Sequence, residues 1–344
     1  MEQAFFKDKH VVITGACGTV GRKLIEHLVH DYDVGSLTGL DNNESELFFL
    51  EQKYKNHENL NFFLADIRDV KSLKSKFKKA NVVFHTAAFK HVGLCEHSPF
   101  EAVQTNILGV QNVVEASYSA SVDVVIFTSS DKAVNPTNVM GTSKLMGERL
   151  MSAANGLKAN RYPIFASTRF GNVLGSRGSV IPLFRDQILG GGPVTITDIQ
   201  MSRFIMSIDE ASRLVIDSAI VARGGEVFVT KMPVVGIGDL AEVMIEELAP
   251  QAGYAASDIK TEIIGSRPGE KLYEELMSSE EVRRAVELKD YFAVIPAFKG
   301  YYSDIDYEYP DLVSNNVEKA YNSELEPKLD KSEIRDFLHN SGLI

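Results

Sequence analysis

Between His10 and Arg169, short and almost continuously apolar runs alternate with longer amphipathic stretches, and this rhythm narrows the possible folds more than any other feature of the chain. Val11-Val12-Ile13, Ser36 to Leu40, Asn61 to Leu64, Val82-Val83-Phe84, Val124 to Phe127 and Ile164 to Thr168 read as strands. Runs without polar alternation suit strands covered on both faces, and the helical patterns between them suit crossover connections. The expected fold class is therefore α/β, a doubly wound parallel sheet. After Phe170 the rhythm gives way to a Gly/Ser/Pro-rich stretch, Gly171 to Pro193, with Gly190-Gly191-Gly192 as a loop. A smaller C-terminal α/β substrate lobe is expected over residues 171–344, partly interleaved with a first domain of residues 1–170. That lobe mixes the short strands Val194 to Ile196 and Val227 to Val229 with the helices Ile208 to Ala222 and Ile237 to Glu247.

Composition removes several function classes. Lys and Arg number 36 against 47 Asp and Glu, a net charge of −11, so no cationic field exists to attract a nucleic acid. Lys71 to Lys79 holds five lysines, but Asp69 can cap a helix there and Leu73 and Phe77 lie four apart, so a solvated amphipathic helix is expected. Cys17 and Cys95 are too few for a disulfide framework, which points to a reducing compartment, the cytoplasm. Nowhere do about 18 uncharged apolar residues run together, so no membrane span is expected. His91, Cys95 and His97 lack convincing ligand spacing and a second cluster, so no metal site is expected.

The first strand leads directly into Thr14-Gly15-Ala16-Cys17-Gly18-Thr19-Val20-Gly21 and then a helix, Arg22 to His30. Glycines at 15, 18 and 21 permit a tight turn, close approach to a pyrophosphate and close helix packing, the Rossmann-type fingerprint. Gly15, Gly18, Thr19, Val20 and Gly21 are the expected pyrophosphate cradle at a helix N-terminus. Asp41 ends the second strand, where its carboxylate can accept from both adenosine ribose hydroxyls, and no Arg follows it closely. That favours NAD over NADP. Asp66 and Ile67 follow the third strand and are assigned adenine contact, with a helix cap the competing reading for Asp66. Ala87 and Ala88 follow the fourth strand and are assigned cofactor contact.

The glycine pattern, Asp41, Asp66, Thr86-Ala87-Ala88 and Met140-Gly141-Thr142-Ser143-Lys144 resemble the extended short-chain dehydrogenase/reductase family over almost the whole chain. Within it, Ala87 to Val92, Ser129 to Ala133, Asn135 to Asn138, Arg169 to Val173 and Arg267 to Lys271 look like the UDP-N-acetylglucosamine 4,6-dehydratases. Membrane-anchored relatives carry extra N-terminal segments, and this chain resembles only their catalytic portion. The family's usual active-site pair is Tyr-x-x-x-Lys on one helix face, where the phenol moves a proton and the Lys ammonium lowers its pKa. Here the Tyr position holds Met140, whose thioether moves no proton. Either the protein is a catalytically silent NAD-binding relative, or the proton work lies elsewhere. Ser130-Asp131-Lys132 follows the fifth strand and supplies a hydroxyl, a carboxylate and an amine, which favours the second reading.

The resemblance implies conversion of UDP-N-acetylglucosamine to UDP-2-acetamido-2,6-dideoxy-4-keto-hexose: oxidation at C4, loss of water across C5 and C6, and hydride return to C6. On this reading Lys132 is the base at C5, made partly neutral by burial and by nearby Lys144. Asp131 is the acid toward the C6 oxygen, and Ser130 the contact at the C4 hydroxyl. Lys144 keeps its bond to the nicotinamide ribose. For the UDP-sugar the resemblance points to Lys90, His91, Lys132, Asn172, Val180, Arg203, Arg267 and Glu270. Arg203 and Arg267 can clamp a diphosphate, Asn172 can donate, and Glu270 can accept from ribose hydroxyls. Thr105-Asn106 with Gly109 reads as helix packing, or as an Asn holding a backbone distortion. Asp41 to Glu46 resembles the NAD-using, C5-retaining branch. A C5-inverting dehydratase, a UDP-sugar 4-epimerase and a silent protein are the alternatives. Family members pair helices, so a homo-oligomer, dimer or higher, is expected.

Overall fold

The computed structural model describes residues 2–157, 163–175, 180–265, 270–298 and 305–344. A ten-stranded sheet runs through its centre. Six strands fall where apolar runs predict them: β1 (His10–Thr14), β2 (Ser36–Asp41), β3 (Leu60–Leu64), β4 (Val82–His85), β5 (Val124–Ser130) and β6 (Ile164–Phe170). They lie in the order β3-β2-β1-β4-β5-β6 and every pairing is parallel. All seven residues of β6 and six of the seven in β5 are buried, which is why their sequences lack polar alternation.

Two apolar layers sandwich the sheet. On one face the helices Thr19–His30 and Ile208–Val221 contribute Leu24, Ile25, Leu28, Ala211 and Val215. On the other, Val70–Lys76, Gly109–Ala120 and Val139–Ala154 contribute Leu73, Val110, Val113 and Met151. The lysine-rich run is the amphipathic helix expected, with the Asp69 carboxylate accepting from the backbone N–H groups of Lys71 and Ser72. Asp69, not Asp66, is thus the cap.

Strand Val227–Thr230 continues the sheet parallel to β6, and Tyr291–Val294, Ala285–Leu288 and Leu312–Ser314 follow it antiparallel. Residues from both halves of the chain therefore share one sheet. A separate core joins the helices Val180–Leu189, Ile237–Leu248 and Lys331–Asn340. The first of these lies within the Gly/Ser/Pro-rich stretch Gly171 to Pro193. Ile181, Phe184 and Ile188 are buried at helical spacing, a pattern masked by the flanking glycines.

Arg169, on β6, is wholly enclosed. Its guanidinium bonds the Glu148 carboxylate at 2.9 and 2.6 Å, the Glu281 carboxylate at 3.1 and 3.0 Å and the Leu276 carbonyl at 2.8 Å. Glu148 lies on the Val139–Ala154 helix and Glu281 follows strand Glu275–Met277, so one cation joins the sheet, a helix and the C-terminal segment. Burial would raise the Glu281 pKa, but Arg169 and the Ser278 N–H outweigh it and hold it at about 2.

Replacing Arg169 with Met takes the shared guanidinium from two buried carboxylates and is expected to lower stability by about 3–5 kcal/mol in a urea titration. The depressed Glu281 acid makes its contribution fully present above the unfolded value of about 4.3 and lost as pH falls toward the folded value. Stability should therefore drop between about pH 4.5 and pH 2, less steeply in Glu281→Gln; equal slopes would refute the assignment.

Candidate active site

β1 and β4 are neighbours although β2 and β3 intervene in sequence, and this switch point opens a crevice at the carboxyl ends of the strands. A cleft of about 280 Å³ lies there, lined among others by Gly15, Gly18, Asp41, Asp66, Ile67 and Ala87. Gly15 has φ +74°, and a Cβ on it would stand 2.6 Å from the Ala87 nitrogen. No other residue fits between β1 and the loop after β4. A Cβ on Gly21 would meet the Gly15 carbonyl oxygen at 2.2 Å, so the helix bearing Gly21, Thr19 and Val20 sits directly on the turn. Gly18 caps that helix with no side-chain bond to its first turn, which leaves the cap position suited to a ligand oxygen.

Asp41 is fixed on both oxygens, by the Cys17 N–H at 2.9 Å and the Asn43 N–H at 2.9 Å, and faces the cleft. Asp66 forks with Arg68, at 2.6 to 3.0 Å, and this pairing holds its acid below the usual range. Ala88 and Phe89 complete the wall. Glycine cradle, carboxylate and cleft fit a dinucleotide.

Beside the cleft, residues Gln104–Leu108 form a π-helical turn. Asn106 within it accepts from the Phe89 N–H at 2.8 Å and donates to the Phe89 carbonyl and the Ser143 hydroxyl, both at 2.9 Å. Asn106 thus serves packing between elements, the first of the two readings of this segment. It links the loop after β4 to the Val139–Ala154 helix, whose buried face presents Met140, Lys144 and Glu148 one turn apart. Met140 packs in an apolar cluster with Cys95 and Ala102. Lys144 donates to the Thr128 carbonyl at 2.9 Å and lies 4.7 Å from the Phe127 ring centre. Desolvation lowers its pKa to about 8, against the opposing pull of Glu148.

The end of β5 gathers a hydroxyl, a carboxylate and an amine. Ser130 Oγ donates to Asp131 Oδ1 at 2.7 Å, and Lys132 Nζ lies 3.1 and 3.0 Å from the two Asp131 oxygens. The expectation that burial and Lys144 leave Lys132 partly neutral is corrected here. Burial does oppose its charge, but Asp131 and Glu274 prevail and hold the ammonium above its ordinary range.

Glu274 escaped the sequence reading, which stopped at Glu270 and Lys271. It is buried, accepts from Asn172 Nδ2 at 2.8 and 3.0 Å and from the Phe204 N–H at 3.0 Å, and lies 3.4 Å from Arg203 Nε and 4.0 Å from Lys132 Nζ. Burial, then the Asp131 charge, push its pKa up to about 7. Two adjacent glutamates, Glu274 and Glu275, gave no sign of which turns inward. Arg203 also donates to the carbonyls of Ser202, Leu272 and Lys271, at 2.8 to 3.1 Å, bracing the segment before Glu274. Lys90, His91 and Glu270 are exposed, and Val180 opens the Val180–Leu189 helix. Arg267 lies outside the described residues.

The polysaccharide biosynthesis protein family matches residues 11–296. This chain belongs to that family. An uncharacterized membrane protein of Methanocaldococcus jannaschii is 50% identical over 292 residues, 85% of this chain and 87% of that one. A Campylobacter jejuni protein named UDP-N-acetylglucosamine 4,6-dehydratase (inverting) is 35% identical, over 88% of this chain and 87% of its own. A Rickettsia canadensis UDP-glucose 4-epimerase is 36% identical, over 84% and 83%. The X-ray structure of Pen from Bacillus thuringiensis is 40% identical and superposes with a TM-score of 0.88 over 98% of each chain. Among the described residues of this family member, no helix is long and apolar enough to cross a membrane.

Lys144 provides a direct check on the site's electrostatics. Reductive methylation with a carbon-13 label should reveal one lysine titrating near pH 8, about two units below an exposed lysine and absent in Lys144→Met. A full set of resonances titrating above pH 10 would show that Lys144 is not desolvated.

Proposed function

We propose that the chain is an NAD-dependent nucleotide-sugar 4,6-dehydratase acting on UDP-N-acetylglucosamine. The observation that carries this reading is the Ser130–Asp131–Lys132 cluster beside Lys144, on a helix where Met140 replaces a phenol. The Campylobacter relative supports the same chemistry.

Gly15, Gly18, Gly21 and Asp41 would hold the dinucleotide, with Lys144 on its nicotinamide ribose. Bound NAD⁺ would supply the hydride acceptor for C4 and, in the same turnover, the donor for C6. Asp131, through Ser130, takes the C4 hydroxyl proton and delivers it to the departing C6 oxygen. Lys132 removes the C5 proton, now acidified by the C4 ketone, exchanges it with water and later gives a proton back to C5. One proton thus moves from C4 to the water lost, and the one taken from C5 is replaced by one of solvent origin. The sugar nucleotide is assigned to residues 171–344, with Asn172, Arg203 and Glu270, together with Lys90 and His91 of the first domain.

The Rickettsia relative favours a second reading, a UDP-sugar 4-epimerase. Epimerisation needs no base at C5 and no acid at C6, so it leaves Lys132 without work and Asp131 with the C4 proton alone. Leu94 and Phe100, 67% and 84% exposed, support a homo-oligomer.

Incubation with UDP-N-acetylglucosamine, followed by NMR of the unreduced product, should show a 4-keto-6-deoxy sugar. A C4 deuterium should appear at C6 and solvent deuterium at C5; loss of the C4 label to water would defeat the mechanism. The reading carries retained configuration at C5, on the likeness of Asp41 to Glu46. An inverted product, as the Campylobacter enzyme's name implies, would overturn that part alone. Lys132→Ala and Asp131→Asn should lower turnover by roughly 10²–10⁴-fold, and Met140→Ala far less. Denatured protein should release NAD; predominant NADP would refute the role of Asp41.

A further inference from the structure

We infer that Glu274 accepts the Lys132 proton, so that the form of the site able to act at C5 pairs a neutral Glu274 carboxyl with a free Lys132 amine. The inference rests on the dehydratase reading and supplies a step it lacks. As found, Lys132 is an ammonium bonded to both Asp131 oxygens, and an ammonium removes no proton from carbon. Asp131 is committed to the proton that travels from C4 to C6. The other carboxylate within reach of Nζ is Glu274, at 4.0 Å.

The surroundings suit that role. Glu274 is held on three sides: Asn172 of the short strand Asn172–Val173, the Phe204 N–H and Arg203 of strand Ser202–Met206, and the Ser323 hydroxyl, which accepts from its backbone N–H at 2.9 Å. Asp131 and Lys132 face it from the end of β5. The adjacent Glu275 is engaged elsewhere, with Lys271 at 3.5 Å and Asn135 at 3.0 Å. Glu274 is therefore fixed, whereas Lys132 carries four flexible methylenes and can swing from Asp131 toward it. The raised proton affinity of Glu274, near neutrality, agrees with such an exchange.

The transfer balances. Lys132–NH₃⁺ and Glu274–COO⁻ become Lys132–NH₂ and Glu274–COOH, which removes two charges from a desolvated site. The amine then takes the C5 proton as the C5–H bond breaks, the C5–C6 double bond forms and the C6 oxygen leaves as water with the proton from Asp131. Lys132 later gives a proton back to C5, and Glu274 keeps its own throughout. Glu274 touches no substrate; it acts through Lys132.

The test compares the full chain with Glu274→Gln, both with NAD and UDP-N-acetylglucosamine. In the variant, kcat should fall on the order of 10²-fold near pH 7 and recover about tenfold per pH unit on the alkaline side, as free amine accumulates. Exchange of the product's C5 hydrogen in heavy water should slow by the same factor, with NAD content unchanged. A structural role would instead lower turnover evenly at every pH. A parallel pH profile, or C5 exchange at the wild-type rate, overturns the inference. Should Glu274→Gln not fold, Glu274→Asp decides: a loss confined to neutral pH supports the exchange, and a wild-type profile overturns it. A wild-type chain that never forms the 4-keto product overturns the dehydratase reading itself, whatever Glu274 does.

Discussion

The buried Arg169 is the joint on which the rest of the site depends. A guanidinium removed from water survives only because Glu148, Glu281 and the Leu276 carbonyl together satisfy it. Those partners come from two distant stretches of the chain, Glu148 from one and Leu276 and Glu281 from the other. Glu148 is one turn beyond Lys144, so the bond sets the height of the helix that carries Met140 and Lys144. Leu276 lies two residues past Glu274, so the same bond sets the segment that brings Glu274 against Lys132. Neutral replacements could fill the volume, but only a planar cation with several donors can hold two carboxylates and a carbonyl at once.

From this joint outward, charge is paired almost without surplus. Asp131 faces Lys132, and Glu274 faces Arg203 and Lys132, so the four groups sum to zero, with the two carboxylates buried and the two cations partly so. Such a set can pass a proton internally without changing its net charge, because a neutral amine and a neutral acid sum to zero as the ion pair does. Lys144 stands outside the set. Its ammonium bonds a carbonyl and faces an aromatic ring, and the pull of Glu148 is too weak to offset desolvation, whereas at Lys132 the two carboxylates prevail.

Parts of this arrangement were legible in the chain itself. The strands of the parallel sheet, the glycine turn, Asp41 and the Ser130–Asp131–Lys132 cluster are each local: a few consecutive residues reveal them. The helix Val180–Leu189 was obscured because glycines on both sides outweigh three buried apolar positions in a short window. Lys132 was misjudged for a different reason. Its charge state depends on two carboxylates, and one of them, Glu274, is far away in sequence and identical in appearance to Glu275 beside it.

The amino-acid sequence by itself determined the sheet, its direction and the glycine turn after β1, because continuous burial and glycine geometry are properties of adjacent residues. The tertiary structure alone decided which acids surround Lys132, how Arg169 ties two halves of the chain together and that Arg203 braces the loop before Glu274. These are contacts between residues tens to more than a hundred positions apart, and their energies come from desolvation and charge, which have no value until the chain has closed around them.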